Sequence, residues 1–138
     1  MTLLDAYALI AFLVGGPGAP EVRGLLREGS VGIATANLAE GLDVARRLHG
    51  LPIERAMEVL EPMLGSTLAP LALDVARARR AAEVRAQHYH RTRRPISLAD
   101  AILIASAGTA DRIATPDPDV LAVAKEEGIA AVALPGTG

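Results

Sequence analysis

Thr2-Leu3-Leu4-Asp5-Ala6-Tyr7-Ala8-Leu9-Ile10-Ala11-Phe12-Leu13 opens the chain as a short apolar run that stops on an acid and resumes at once as a second, longer one. Leu3-Leu4 reads as a buried strand. Ala6 to Leu13 is too apolar for a surface helix, so it is expected to be a covered one. Asp5 then stands at the carboxyl end of a strand, the edge of an open α/β sheet at which ligands bind.

The same order of strand, acid and helix recurs further on. Gly15-Gly16-Pro17-Gly18-Ala19-Pro20 breaks the first helix; it lacks the Gly-Lys-Ser/Thr of a phosphate loop and reads as a turn. A short helix is expected over Glu21 to Glu28, a strand over Val31 to Ala34, and a helix from Thr35-Ala36-Asn37 to about Leu48. Gly50 and Pro52 then act as stop signals. Ile53, Met57, Leu60 and Leu64 recur at helical spacing, with Pro62 disturbing the last turn. Thr67 to Leu71 is a third strand, and Pro70 within it suggests an edge or a strand end. Asp74 caps a long helix to about Tyr89, Arg91 to Pro95 is a basic turn, and Ser97 to Gly108 is a second very apolar helix. Arg112 to Ala114 is a strand, Pro118 to Glu127 a helix, Ala130 to Ala133 the last strand, and Leu134 to Gly138 a loose tail. Strands alternating with helices imply a parallel sheet covered on both faces.

The 138 residues fit one domain, residues 1–138. Apolar residues reach 51%, enough for a core, but aromatics are only 2%. That core must therefore be Ala, Leu, Val and Ile. So few rings also argue against single-strand or RNA-recognition modules that stack bases on ring side chains. With no Cys there is no disulfide, thiolate metal site or Cys nucleophile. A formal charge of −2 supplies no overall positive field, so any contact with nucleic acid must be local. No basic segment precedes the first apolar run, Asp5 interrupts it, and no run approaches the roughly 18 residues of a membrane span. The expectation is a cytoplasmic protein with no membrane partner.

Four acids stand at comparable places: Asp5, Glu40, Asp100 and Asp117. Each has a purely local explanation. Asp5 and Asp117 suit N-caps, the latter just before Pro118. Asn37 with Glu40, and Ser97 with Asp100, have the form of capping boxes. Taken together they ask for more. Glu40 and Asp100 fall inside apolar segments, where a carboxylate is costly unless paired or bound to a cation. Several anions gathered at one sheet edge raise each other's pKa unless a cation offsets them. With no Cys or His nearby, the ion expected is a hard one, Mg2+ or Mn2+.

Leu3-Leu4-Asp5 before an apolar helix, Asn37-Leu38-Ala39-Glu40, Ser97-Leu98-Ala99-Asp100-Ala101-Ile102-Leu103 and Ala114-Thr115-Pro116-Asp117 resemble the PIN domain, and within it the VapC-type toxins of toxin–antitoxin pairs. The resemblance runs through the whole chain in order. It implies a three-layer α/β fold with a central, mainly parallel sheet of about five strands flanked by helices. It also implies a Mg2+-dependent ribonuclease cutting RNA, a homodimer, and a small antitoxin partner that blocks the site. Carried over by position, Asp5, Glu40, Asp100 and Asp117 match the acidic metal-binding quartet, and Thr115 a hydroxyl beside its last acid. Tyr7 departs from the Ser, Thr or Asn of many relatives. Asp119 competes with Asp117 as ligand; Asp117 is preferred because it follows the strand directly.

Cleavage would then be metal-assisted phosphodiester hydrolysis, through one or two ions, with no histidine needed as a base. His49, His88 and His90 read as solvated positions. Asp43 reads as a surface partner of Arg46 or Arg47. Arg91, Arg93 and Arg94 form the densest basic stretch and are candidates for phosphate contacts, against the alternative of a solvated turn. The rival reading is a non-catalytic scaffold of the same fold that binds RNA or protein, with the acids acting as caps. A phosphatase or receiver of the Asp-nucleophile kind fits poorly: Tyr7 occupies the place of the second Asp, and the only Lys, Lys125, lies inside the last helix.

Overall fold

The computed structural model describes residues 1–136. Its elements follow in the order β1 (Thr2–Leu4), α1 (Ala6–Val14), α2 (Ala19–Glu28), β2 (Val31–Ala34), α3 (Thr35–His49), α4 (Ile53–Leu60), β3 (Leu68–Leu71), α5 (Val75–His88), α6 (Leu98–Ser106), β4 (Arg112–Thr115), α7 (Pro118–Glu126) and β5 (Ala130–Ala133). The five strands form one sheet in the order β3-β2-β1-β4-β5, and every pairing is parallel. Pro70 lies in β3, an edge strand, where its missing N–H costs no ladder bond.

Alternation along the strands builds the layers. Leu3 and Ile113 face one side with Ala81, Val84, Leu103, Ile104, Val120 and Val123, beneath α5, α6 and α7. Leu4 and Ala114, one residue on, face the other with Leu9, Val22, Leu25, Ile33, Leu60 and Leu68, beneath α1, α2 and α4. Adjacent side chains along a strand thus feed two cores, the three-layer arrangement of a parallel sheet buried on both faces. No aromatic sits among the fully buried large side chains.

Several boundaries differ from the sequence reading for local reasons. α2 begins at Ala19, two residues early, because Pro20 suits the first turn. α4 stops at Leu60 rather than Leu64: the chain turns at Pro62, and Leu68 N–H donates to Met63 O at 2.9 Å. α3 is capped by Ala34, without a side-chain bond, and Asn37 lies inside the helix. The Asn37–Glu40 capping box is therefore not formed. The Ser97–Asp100 box is: Asp100 N–H donates to Ser97 Oγ at 3.0 Å, and Ser97 N–H to Asp100 Oδ2 at 2.9 Å.

Leu134 to Gly136 is not loose. Leu134 is buried, its N–H donates to Thr115 O at 3.0 Å, and Tyr7 Oη–H donates to Pro135 O at 3.0 Å. Thr137 and Gly138 lie outside the described residues. Among those described, no single helix is long and apolar enough to cross a membrane.

Candidate active site

All five strands run the same way, so their carboxyl ends share one edge. Strand order reverses between β1 and β4, where one connection leaves toward β2 and the other toward β5. That reversal opens a crevice between the two loops. Asp5 ends β1 and Asp117 follows β4 by two residues. α6 delivers Asp100 from its first turn, and α3 delivers Glu40 from its second. Asp5, Glu40, Asp100 and Asp117 all line a single cleft of about 440 Å3, together with Ala6, Tyr7, Pro116 and Gly136. No Lys, Arg or His is among the lining residues.

Two close contacts bring α3 to the site. Gly41 packs against α1 so tightly that a Cβ there would stand 2.7 Å from Leu9 Cδ2. Asn37, 1% exposed, donates from Nδ2 to Ala99 O at 3.2 Å, linking α3 to the residue before Asp100. Its Oδ1 is buried and has no partner among the described residues. The sequence reading treated Asn37 as a cap; the legible signal was a polar residue between the apolar positions Ala36 and Leu38, one turn before an acid.

Asp5 is 8% exposed. Its Oδ1 accepts from Ala8 N–H at 2.7 Å, and its Oδ2 from the Thr115 hydroxyl at 2.6 Å. Thr115 Oγ1 in turn accepts from Asp117 N–H at 3.1 Å, and Asp117 Oδ1 from Asp119 N–H at 2.8 Å. Burial pushes the Asp5 carboxyl up to about 6, against the bonds from Thr115 and Ala8, with Asp100 and Asp117 adding repulsion. Burial also raises Asp100, helped by Asp117 and Asp119, and raises Glu40, helped by Asp100 and Asp43. Asp5, Asp100 and Asp117 thus serve as helix caps and as members of one repelling cluster. The two explanations coexist.

Whether these groups fit a divalent cation is a question of donors and spacing. The donors are carboxylate oxygens, desolvated and mutually repelling, which suits a hard ion such as Mg2+ or Mn2+. As they stand, no three acidic or histidine side chains among the described residues are grouped closely enough to ligate one ion. Three of the four carboxylates are engaged by backbone N–H groups, and nothing positive draws them together. The set fits the ion by chemistry, and its side chains must move inward to share one.

The other candidate residues sit outside the cleft. Asp119 faces Asp100 and Arg94 electrostatically without lining it. Residues His90 and Arg94 close a tight turn through paired backbone bonds of 2.9 and 3.0 Å. Arg94 reaches Glu126 with both terminal nitrogens, at 2.9 and 3.1 Å, so it braces the turn on α7. Arg91 and Arg93 are exposed. Asp43 pairs with Arg47 at 2.9 Å on the surface, as expected.

His88 departs from the solvated position expected of it. Its side chain is 4% exposed, with Nδ1 3.1 Å from Glu126 and Nε2 3.0 Å from Glu127. Sequence spacing hid this because the partners lie about 39 residues away, on α7.

A family model described as the PIN domain matches residues 2–126. No curated protein matches the sequence. Among solved structures, the fold is similar to DNA-bound VapBC from Salmonella typhimurium, at 21% identity over 96% of each chain with a TM-score of 0.66. It is similar to FitAcB from Neisseria gonorrhoeae, at 22% identity over 95% of this chain and 96% of that one, TM-score 0.64. It is similar also to VapC20 from Mycobacterium tuberculosis, described as a sarcin-ricin loop cleaving toxin, at 18% identity over 99% and 91%, TM-score 0.64. At these identities the likeness is one of fold.

Proposed function

As the chain belongs to the PIN domain family, we propose that it is a metal-dependent endoribonuclease, the toxin of a toxin–antitoxin pair, with Asp5, Glu40, Asp100 and Asp117 as its metal-binding and catalytic acids. The observation that carries this reading is the cleft itself, which four carboxylates line without any basic side chain. Such a cluster repels the phosphates of RNA and is costly to keep ionised unless a cation joins it.

Held there, Mg2+ or Mn2+ supplies Lewis-acid polarisation of a phosphate oxygen and acidifies a water. The remaining work falls to the chain. Thr115 fixes Asp5 through its hydroxyl while accepting from Asp117 N–H, so one side chain orients two of the acids. Asn37 and Gly41 hold α3 against α6 and α1, which keeps Glu40 at the cleft. Glu40 is half-buried with its carboxyl raised above the ordinary range, which suits it to take a proton from the attacking water. Arg91 and Arg93, exposed on the turn, are the candidates for flanking phosphates. Arg94 is already committed to Glu126.

The toxin–antitoxin role, with a small cognate antitoxin that blocks the cleft, is inferred from the PIN family together with the VapBC and FitAcB structures. A homodimer and a cytoplasmic location belong to the same reading. The second reading, a non-catalytic scaffold that binds RNA or protein, draws on the carboxylates being capped and not converged. Cleavage of structured RNA by the purified chain separates the two. The nuclease reading expects cleavage with Mg2+ or Mn2+, none with chelator, and none from a folded Asp100→Asn variant. Cleavage indifferent to chelator contradicts the metal-dependent reading, and cleavage absent under every metal condition favours the scaffold.

A further inference from the structure

A polyanion entering the cleft meets four acids and no Lys or Arg, so close to the reacting phosphate it has no basic side chain to hold it. One lining residue offers a different grip. Tyr7 is one of three aromatic residues in the chain. Phe12 packs against the apolar core beneath α1 and α2, and Tyr89 carries the Arg85 guanidinium 4.4 Å over its ring at the end of α5. Tyr7 alone faces the acids, two residues after Asp5.

Its ring is anchored. The hydroxyl donates to Pro135 O at 3.0 Å, in a segment that Leu134 ties to Thr115 O at 3.0 Å. Ring atom Cε1 stands 3.6 Å from where a Cβ on Gly18 would lie. A phenol whose O–H is already donated is badly placed to act as an acid, and what remains for the cleft is its π surface. A ring whose hydroxyl is tied to Pro135 O loses little further freedom when a planar group stacks on it. Tyr7 lines the cleft with the four acids, so a phosphate drawn to them brings its flanking bases to the same cleft.

We propose that Tyr7 is a stacking platform for a nucleobase next to the scissile phosphate. This rests on the ribonuclease reading. Because every base has a π face, the platform grips RNA without selecting its sequence.

The test uses the full chain in a Tyr89→Phe background with Ca2+ in place of Mg2+, so that the four acids keep a hard cation while RNA binding is read. With no Trp in the chain, Tyr7 is then the only source of tyrosine emission. A single-stranded oligoribonucleotide should quench that emission, and an abasic oligomer of the same length should not. In the same background, Tyr7→Leu should weaken RNA binding by roughly tenfold or more, while Tyr7→Phe stays within about twofold. Quenching equal for the two oligomers overturns the proposal, as does equal binding by the Leu and Phe variants. If Tyr7→Leu loses its cooperative melt, the quenching arm still decides. Failure of the parent to bind any RNA instead overturns the ribonuclease reading beneath it.

Discussion

The Thr115 hydroxyl donates to Asp5 Oδ2 at 2.6 Å, across 110 residues of sequence and wholly inside the protein. It is the one side-chain bond that opposes the burial of that carboxylate. Thr115→Val keeps the shape and removes the donor. Asp5 then loses a bond that favours its charged form, and its carboxyl must rise further above about 6. The acid limb of the RNA-cleavage profile should move to higher pH. Stability should fall by about 1–2 kcal/mol, because an acceptor is left unpaired. An unshifted pH profile would show that Thr115 does not govern Asp5.

Asp5→Asn should abolish cleavage while making the metal-free chain harder to unfold. The amide can still accept from Ala8 N–H and carries no charge to desolvate. A carboxyl moved from 3.8 to about 6 corresponds to at most about 3 kcal/mol of unfavourable ionisation. Thermal melting in chelator near neutral pH should rise by a few degrees. A lower melting temperature in the variant would mean that burial of this charge is compensated in some other way.

The pH dependence of stability follows with a definite sign. Between 3.8 and about 6 the folded chain keeps a proton on Asp5 that the unfolded chain has released. Stability therefore falls as pH rises through that window; the contribution is full below it and lost above it. The raised carboxyls of Glu40 and Asp100 act in the same direction. In chelator, the melting temperature should decline from about pH 4 to about pH 6.5, and the decline should shrink in Asp5→Asn. Excess Mg2+ should restore stability chiefly at the higher pH, because only the carboxylate form binds it. A Mg2+ effect of equal size at both ends would contradict the assignment of Asp5 as a ligand.

His88 makes a prediction that leaves the acids untouched. Its ring joins α5 to both Glu126 and Glu127 on α7, and Arg94 adds a forked contact to Glu126. His88→Ala removes both ring contacts to the glutamates from a nearly dry position. A loss of about 1–3 kcal/mol is expected by denaturant unfolding. Mn2+ affinity should change little under conditions where the variant is folded. A neutral effect on stability would mean that the two glutamates are equally content in water.

The fold was legible because its signals are local and repeated. Leu3-Leu4-Asp5, Val31 to Ala34 and Arg112 to Ala114 each alternate with apolar helices, and such alternation admits few arrangements. Asp5, Asp100 and Asp117 were legible for a similar reason, since each sits where a strand meets a helix or a helix begins. What escaped depends on pairs far apart in sequence. His88 looks like a frayed helix end until α7 packs on it. Leu134-Pro135 looks like a tail until Thr115 and Tyr7 hold it. Asn37 passes for a cap because the bond that matters goes to Ala99, on a helix 62 residues away.

If the four acids bind one kind of ion together, Mn2+ titrated calorimetrically into the metal-free chain reads that binding without any RNA. Saturable binding is expected near neutral pH, lost in Asp100→Asn and in Asp5→Asn although both melt cooperatively. Binding that survives both substitutions, or a folded wild-type chain that takes up no Mn2+ or Mg2+, would contradict it.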